Sequence, residues 1–346
     1  MLDYDRSNFL RFLNDFPQQL THAQKLVAEV QPRLDTGRIR NLVFAGMGGS
    51  AISGDLFIAY ALDELAYPAQ VNREYSLPAF VGEDTLFFAT SYSGNTEETL
   101  TATEEAFKRG AQIVCISSGG ELEAFSQSKG LLHMKIPGGL PPRQALGYLF
   151  FPVLFLCEKL GLIRPREEEV DETLKILNEL QRRFNPNASQ GHNLPNHIAQ
   201  SLYHTIPVIY TAVPYLYPIP VRWRNQFNEN SKIMAFSNVF PELNHNEIMG
   251  WEGPQKVNQF FRVVLLRDPE ETPRNKQRVE ITKGILKDKG IPILEVFAEG
   301  KSRLARMFSL IYIGDWASYY LAMINAKDPI KIDSITLLKK KLAELK

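Results

Sequence analysis

Asn41-Leu42-Val43-Phe44-Ala45 runs straight into Gly46-Met47-Gly48-Gly49-Ser50-Ala51. A short apolar run that stops at glycines reads as a buried parallel strand feeding a tight turn. Helix-like sequence follows from Ile52 to Leu65, then a second short strand around residues 69–74. Thr85 to Ser91, TLFFATS, is another apolar strand closed by small polar residues. Residues 97–109 are helical in pattern, with Glu97 and Glu98 in the first turn, where the helix dipole favours acids. Gln112 to Ser117, QIVCIS, is a strand again. Strands alternating with helices at this spacing predict a mainly parallel sheet covered on both faces.

The same grammar returns further along. The first 35 residues read as an amphipathic helix ending near Gly37. PGGLPP at 137–142 is a loop, and 144–161 a buried helix. Arg164 to Arg183 is highly charged with a helical period, and Asn185 to Asn196, rich in Asn, Pro and Gly, reads as a linker. Then IPVIY at 206–210 is a strand, Pro220 opens a helix to about Lys232, and FRVVLL at 261–266 is a strand. A helix at 274–289, a strand at 293–297 and a long apolar helix at 304–324 follow. Asp328-Pro329 starts a last amphipathic helix with Ile332, Ile335, Leu338 and Leu342 on one face. The expectation is an α/β fold of two similar subdomains, each a mainly parallel sheet flanked by helices, plus N- and C-terminal helices. Residues 1–160 carry the first subdomain and 161–195 the connector and linker; 196–326 carry the second subdomain and 327–346 the last helix.

At 346 residues the chain has room for about two domains, at roughly 150 residues each. Lys plus Arg equals Asp plus Glu at 39 each, which removes the overall charge of a general nucleic-acid binder. Two cysteines, Cys115 and Cys157, are too few for a disulfide framework, and both sit in apolar runs. The start, MLDYDRSNFLRFLNDF, lacks the basic opening and continuous apolar stretch of a signal peptide. The longest apolar run, Ala145 to Cys157, has 13 residues where a spanning helix needs roughly 20. A cytoplasmic protein with reduced, buried thiols is expected, with no membrane and no nucleic-acid partner.

Two loops could carry chemistry. Gly46 to Ala51 places glycines where backbone N–H groups can meet an anionic or polyhydroxy ligand, with Gly48, Gly49 and Ser50 as binding candidates. Its glycine spacing also fits the loose dinucleotide pattern, but Glu74 lies far along for a ribose-binding acid. Ser91-Tyr92-Ser93-Gly94-Asn95-Thr96 is more specific. Hydroxyls of Ser91, Ser93 and Thr96, together with a helix N-terminus, can hold a phosphate without a lysine. One of them would suffice as a simple helix cap. His192, His197 and His204 match no zinc spacing, so no metal and no cofactor are expected.

GMGGSAISGD at 46–55 and SYSGNTEET at 91–99 together resemble the sugar isomerase (SIS) domain. Added to them are PPRQALGY at 141–148, FNENSK at 227–232, ELNHNEIMGWE at 242–252, GDWASYYLA at 314–322 and Leu338-Lys339. In this order, over nearly the whole chain, they resemble the bifunctional phosphoglucose/phosphomannose isomerase family. The resemblance implies two SIS subdomains, a homodimer with a shared active site, and a metal-independent aldose–ketose isomerisation. Its substrates would be small sugar phosphates: glucose 6-phosphate or mannose 6-phosphate, interconverted with fructose 6-phosphate.

Such a reaction needs ring opening, a base that moves a proton between C2 and C1, and a fixed cation or donors for the enediolate. The resemblance assigns the base to Glu229 and ring opening to His245, imidazole being a side chain suited to proton transfer at neutral pH. It gives enediolate stabilisation to Arg143, in a loop stiffened by two prolines, and the ring oxygen or hydroxyls to Lys339. A non-catalytic sugar-phosphate-sensing module would keep the hydroxyl loop and lose Glu229 and His245. A nicotinamide-dependent enzyme on the Gly46 loop and an aminosugar enzyme on the same scaffold are further alternatives.

Overall fold

The first sheet grows in both directions from the strand Asn41–Ala45. A computed structural model describes residues 4–188 and 193–345. Strands β1 (Asn41–Ala45), β2 (Ala69–Asn72), β3 (Thr85–Thr90), β4 (Gln112–Ser117) and β5 (Leu132–Lys135) form one sheet in the order β2-β1-β3-β4-β5. Strands β6 (Ile206–Thr211), β7 (Phe236–Val239), β8 (Phe261–Arg267) and β9 (Ile293–Phe297) form a second, in the order β7-β6-β8-β9. Every pairing in both sheets is parallel. Parallel strands need crossovers, which helices provide at most connections, while residues 73–84 carry the chain from β2 to β3 without one.

The first half contributes α1 (Leu10–Glu29), α2 (Gly48–Tyr60), α3 (Glu97–Lys108), α4 (Gly120–Lys129) and α5 (Leu146–Lys159). The rest are α6 (Glu167–Phe184), α7 (Leu194–Leu202), α8 (Pro218–Gln226), α9 (Gln255–Asn258), α10 (Pro273–Asp288), α11 (Arg303–Ile324) and α12 (Asp333–Ala343). The apolar text of α5 and α11 has a direct consequence: both are buried almost from end to end. With α1 they form one continuous core that also takes the inner faces of both sheets. The outer faces are sealed by two smaller clusters, one including Ala102 and Ala106 of α3, the other Val279 and Leu286 of α10. Cys115 and Cys157 are free and buried, and burial pushes both thiols up, to about 12 for Cys115.

Several local expectations are corrected. The linker read at 185–196 already contains the start of α7, capped by Asn193, whose side chain accepts the Asn196 N–H. α8 opens at Pro218 rather than Pro220. The last helix starts at Asp333, several residues after Asp328-Pro329, and none of its residues is buried. Its apolar face, with Leu338 and Leu342, is therefore exposed in the single chain. Among the described residues, no helix is long and apolar enough to cross a membrane.

Candidate active site

In the order β2-β1-β3 the chain builds outward from β1 in both directions, so the C-terminal ends of β1 and β3 border a switch-point crevice, where ligands of open α/β sheets bind. Both candidate loops leave the sheet there. A Cβ on Gly46 would stand 2.9 Å from Thr90 O, so glycine lets the two strand ends meet. Helix α2 begins at Gly48, not at Ile52; Gly48 and Gly49 thus form its first turn. Gly48 has φ +49°, and a Cβ on Gly49 would lie 3.0 Å from Pro142 O, so the loop bearing Arg143 sits directly against this helix start. Ser50 is buried, and its Oγ accepts the Tyr92 N–H at 3.3 Å. It ties the glycine loop to the hydroxyl loop.

In the hydroxyl loop, Ser91 is buried and donates to Thr96 Oγ1 at 2.9 Å. Ser93 is exposed, and its Oγ accepts the Asn95 N–H at 3.2 Å. Thr96 occupies the N-cap position of α3 but its side chain makes no capping bond. In these contacts Ser93 and Thr96 act as acceptors, so each hydroxyl keeps its own proton to offer an anion. Gly94, at φ +73°, seats the loop against the start of α4, and its carbonyl accepts the Leu122 N–H at 2.9 Å. Tyr92 OH donates to Pro137 O at 3.1 Å and accepts the Leu140 N–H at 2.8 Å. That pair of bonds holds PGGLPP in place, and with it Arg143.

Arg143 follows in a 3-10 turn, Pro142–Gln144, and is only 5% exposed. Its Nε donates to Asn230 Oδ1 and its Nη2 to Pro329 O, both at 2.6 Å. Its Nη1 stands 3.5 Å from Glu229 Oε2. Burial pulls the arginine's pKa down and Glu229 pulls it back; a guanidinium remains charged throughout. Glu229 itself lies in a π-helical turn, Phe227–Ser231, that continues α8. That turn is anchored on α11: Asn230 Nδ2 donates to Ser318 Oγ at 2.9 Å and Ser231 Oγ to Ser318 O at 2.7 Å. Gly48, Gly49, Arg143 and Glu229 line one small cavity with Arg222. Glu229 also borders an open cleft of about 680 Å³ that runs toward α12. The arrangement sets a carboxylate beside a fixed guanidinium at the glycine start of α2, which Ser50 ties to the loop of hydroxyl donors.

The other two candidates are not brought here within one chain. His245 is exposed at the end of a 3-10 turn, Glu242–His245, and lines neither cavity that Glu229 lines. Lys339 is exposed on α12 and lines neither one. His192 lies outside the described residues. Among the described residues no group of three or more His, Cys, Asp or Glu side chains could hold a metal ion.

The sequence reading passed over Arg222. Its Nη2 bonds Asp315 Oδ2 at 2.6 Å and Arg143 O at 3.1 Å, so it supports Arg143 from behind. Asp315 was its signal: a lone acid inside an apolar helix requires a buried cationic partner.

The SIS domain family matches residues 38–136, and the bacterial phospho-glucose isomerase C-terminal SIS domain matches residues 191–342. A bifunctional phosphoglucose/phosphomannose isomerase of Caldicellulosiruptor bescii is 43% identical, over 96% of this chain and 98% of its own length. That of Thermoplasma acidophilum is 40% identical, over 89% of this chain and 91% of its own. Among solved structures, a hypothetical protein of Thermus thermophilus superposes with a TM-score of 0.77 at 17% identity, covering 98% of this chain and 91% of that one, which shows the shared fold. On this likeness of sequence along nearly its full length, the chain belongs to the bifunctional phosphoglucose/phosphomannose isomerase family.

Proposed function

We propose that this protein interconverts glucose 6-phosphate and mannose 6-phosphate with fructose 6-phosphate through an enediolate. The observation that carries the reading is the Arg143–Glu229 pair, 3.5 Å apart, beside the glycine start of α2. Glu229 takes the proton from C2 of the open-chain aldose and returns it to C1, while the hydroxyl proton passes from O2 to O1, so that the C1 aldehyde becomes an alcohol and C2 a ketone. The Arg143 Nη1 that faces Glu229 balances the negative charge that then spreads over the two oxygens, a role suited to a donor already fixed in place. Ser93 and Thr96 hydroxyls, with Ser91 behind them and the α2 start at Gly48, Gly49 and Ser50 alongside, hold the phosphate. Glucose and mannose 6-phosphates differ only at C2 and share one enediol connectivity, so a single base serves both as the intermediate rotates about C2–C3 and offers its opposite face.

Ring opening falls to His245 and contact with the ring oxygen or hydroxyls to Lys339. Because His245 is exposed and apart from Glu229 in one chain, the reading includes a homodimer with a shared active site. Residues 1–160 and 196–326 act as the two subdomains, joined by 161–195 and followed by 327–346, in a cytoplasmic enzyme needing no cofactor.

A coupled assay of purified protein with each of the three sugar phosphates, run with excess chelator, tests this. Interconversion in all three is expected; no conversion, or conversion restored only by a divalent ion, overturns it. Mixing Glu229→Gln with His245→Ala chains should restore activity in mixed dimers; verified mixed dimers without recovery would place both residues on one chain.

A further inference from the structure

Lys232 has no part in the reaction as drawn, yet its side chain folds onto the very backbone that carries Glu229. It ends the π-helical turn at φ +58° and ψ 40°, in the left-handed region that a residue with a Cβ enters only at a cost. The ammonium then reaches back to the helix end. Nζ donates to the carbonyl oxygens of Glu229 and, at 3.3 Å, of Asn230. It also lies 3.4 Å from both Asp328 O and Pro329 O. Pro329 O is the oxygen that accepts Arg143 Nη2. One carbonyl thus receives both cations, and the segment leading to α12 is tied to the catalytic turn through it. A cation at these carbonyls also opposes the negative end of the helix dipole.

Resting on the isomerase reading, we propose that Lys232 is a positioning residue. As a protonated ammonium it clamps the backbone of Glu229 to residues 328–329 and so fixes the spacing of Glu229 and Arg143. The surrounding charges set when the clamp is closed. Glu229, Asp328 and Asp333 favour the ammonium and Arg143 opposes it. Arg6, Lys327 and Lys331 line the same cleft. Burial first, then Arg143, pull its pKa from 10.5 to about 8. A neutral amine has one proton fewer and no charge to hold four carbonyl dipoles. Turnover should therefore decline along an alkaline limb near pH 8, while substrate binding, held by the hydroxyl loop, stays nearly constant.

The experiment compares kcat and KM for fructose 6-phosphate from pH 6.5 to 9.5 in wild type, Lys232→Arg and Lys232→Met. Arginine keeps its charge over that range. Expected are a fall in wild-type kcat above pH 8, a limb in Lys232→Arg displaced upward by a pH unit or more, and a low, limb-free kcat in Lys232→Met with KM within about twofold. Unfolding would not mimic this. Lys232 has a folded pKa below its unfolded value, so the unfolded chain binds more protons between pH 8 and 10.5, and this group's contribution to stability rises there. An unchanged limb in Lys232→Arg, a folded Lys232→Arg inactive at every pH, or wild-type kcat in Lys232→Met overturns the clamp. If Lys232→Met does not fold, wild type against Lys232→Arg decides. Wild type without isomerase activity at any pH overturns the isomerase reading instead, and the clamp with it.

Discussion

Arg222 Nη2 lies 2.6 Å from Asp315 Oδ2, and the two residues are 3% and 1% exposed. Asp315 Oδ1 also accepts Gln226 Nε2 at 2.7 Å, and Arg222 turns its other contact onto the carbonyl of Arg143. The pair therefore joins α11 to α8 and supports the active-site arginine. Burial raises the Asp315 pKa, and Arg222 works against that. Removing one partner of a buried pair leaves the other charge uncompensated, a loss of about 3–5 kcal/mol. Asp315→Ala should lose that much in urea unfolding, and its isomerase activity should fall with it. Unfolding at the wild-type denaturant midpoint would show that the pair contributes nothing.

Phosphate affinity should depend on Ser93 and Thr96. A hydrogen bond to a charged group is worth about 1.5–3 kcal/mol, so removing both hydroxyls should raise KM by about 100-fold or more with kcat less affected. The check is steady-state kinetics of the double alanine variant with fructose 6-phosphate. Neither hydroxyl caps or supports another element through its own proton, so the fold should survive. Wild-type KM would mean the phosphate binds elsewhere.

Glu229→Gln keeps shape and some hydrogen bonding but accepts no proton. Loss of a general base costs about 100- to 10,000-fold, and kcat should drop by that factor with glucose 6-phosphate and mannose 6-phosphate alike. Solvent-proton exchange at C1 and C2 should slow in parallel. Near-normal turnover of mannose 6-phosphate alone would require a second base.

Away from the site, Glu158 carries a pH dependence of the fold. Its Oε1 is buried without a hydrogen-bond partner, and burial, helped by Glu167 and Glu169, pushes its pKa up to about 7 against the pull of Arg166. The folded chain then binds more protons than the unfolded one between pH 4.5 and 7, so this group's contribution is present at low pH and lost as pH rises through 7. Glu158→Gln should stabilise the protein at pH 8, by about 1 kcal/mol once solvent screening of this half-buried group is counted. At pH 4 it should change little. Thermal melts at the two pH values measure the difference.

The strands legible in the sequence and those missed differ for a physical reason. β3, β4, β6 and β8 are continuous apolar runs because a central parallel strand is covered on both faces. β5 and β7 escaped notice. Both lie at sheet edges, four residues long and partly exposed, so neither needs an apolar run. Gly48 and Gly49 look like loop, yet they open α2, and position 49 has to be glycine because the chain at Pro142 passes too close for a side chain.

The amino-acid sequence by itself determined the α/β class, the two loops at the strand ends and the residue types that chemistry requires. These are local properties, carried by periodicity and by glycine or hydroxyl clusters within a few residues. Which side chains meet was decided by tertiary structure alone. Arg143 reaches Glu229 because α8 packs between α2 and α11, and because Asn230 and Pro329 hold its other nitrogens. Asp315 announced a buried cation, yet only packing chose Arg222 for it. Lys232 closes FNENSK with no role of its own legible there until its left-handed backbone and four carbonyl neighbours are seen. Such pairings join segments far apart in the chain, and local patterns carry no record of which distant segment will supply the partner.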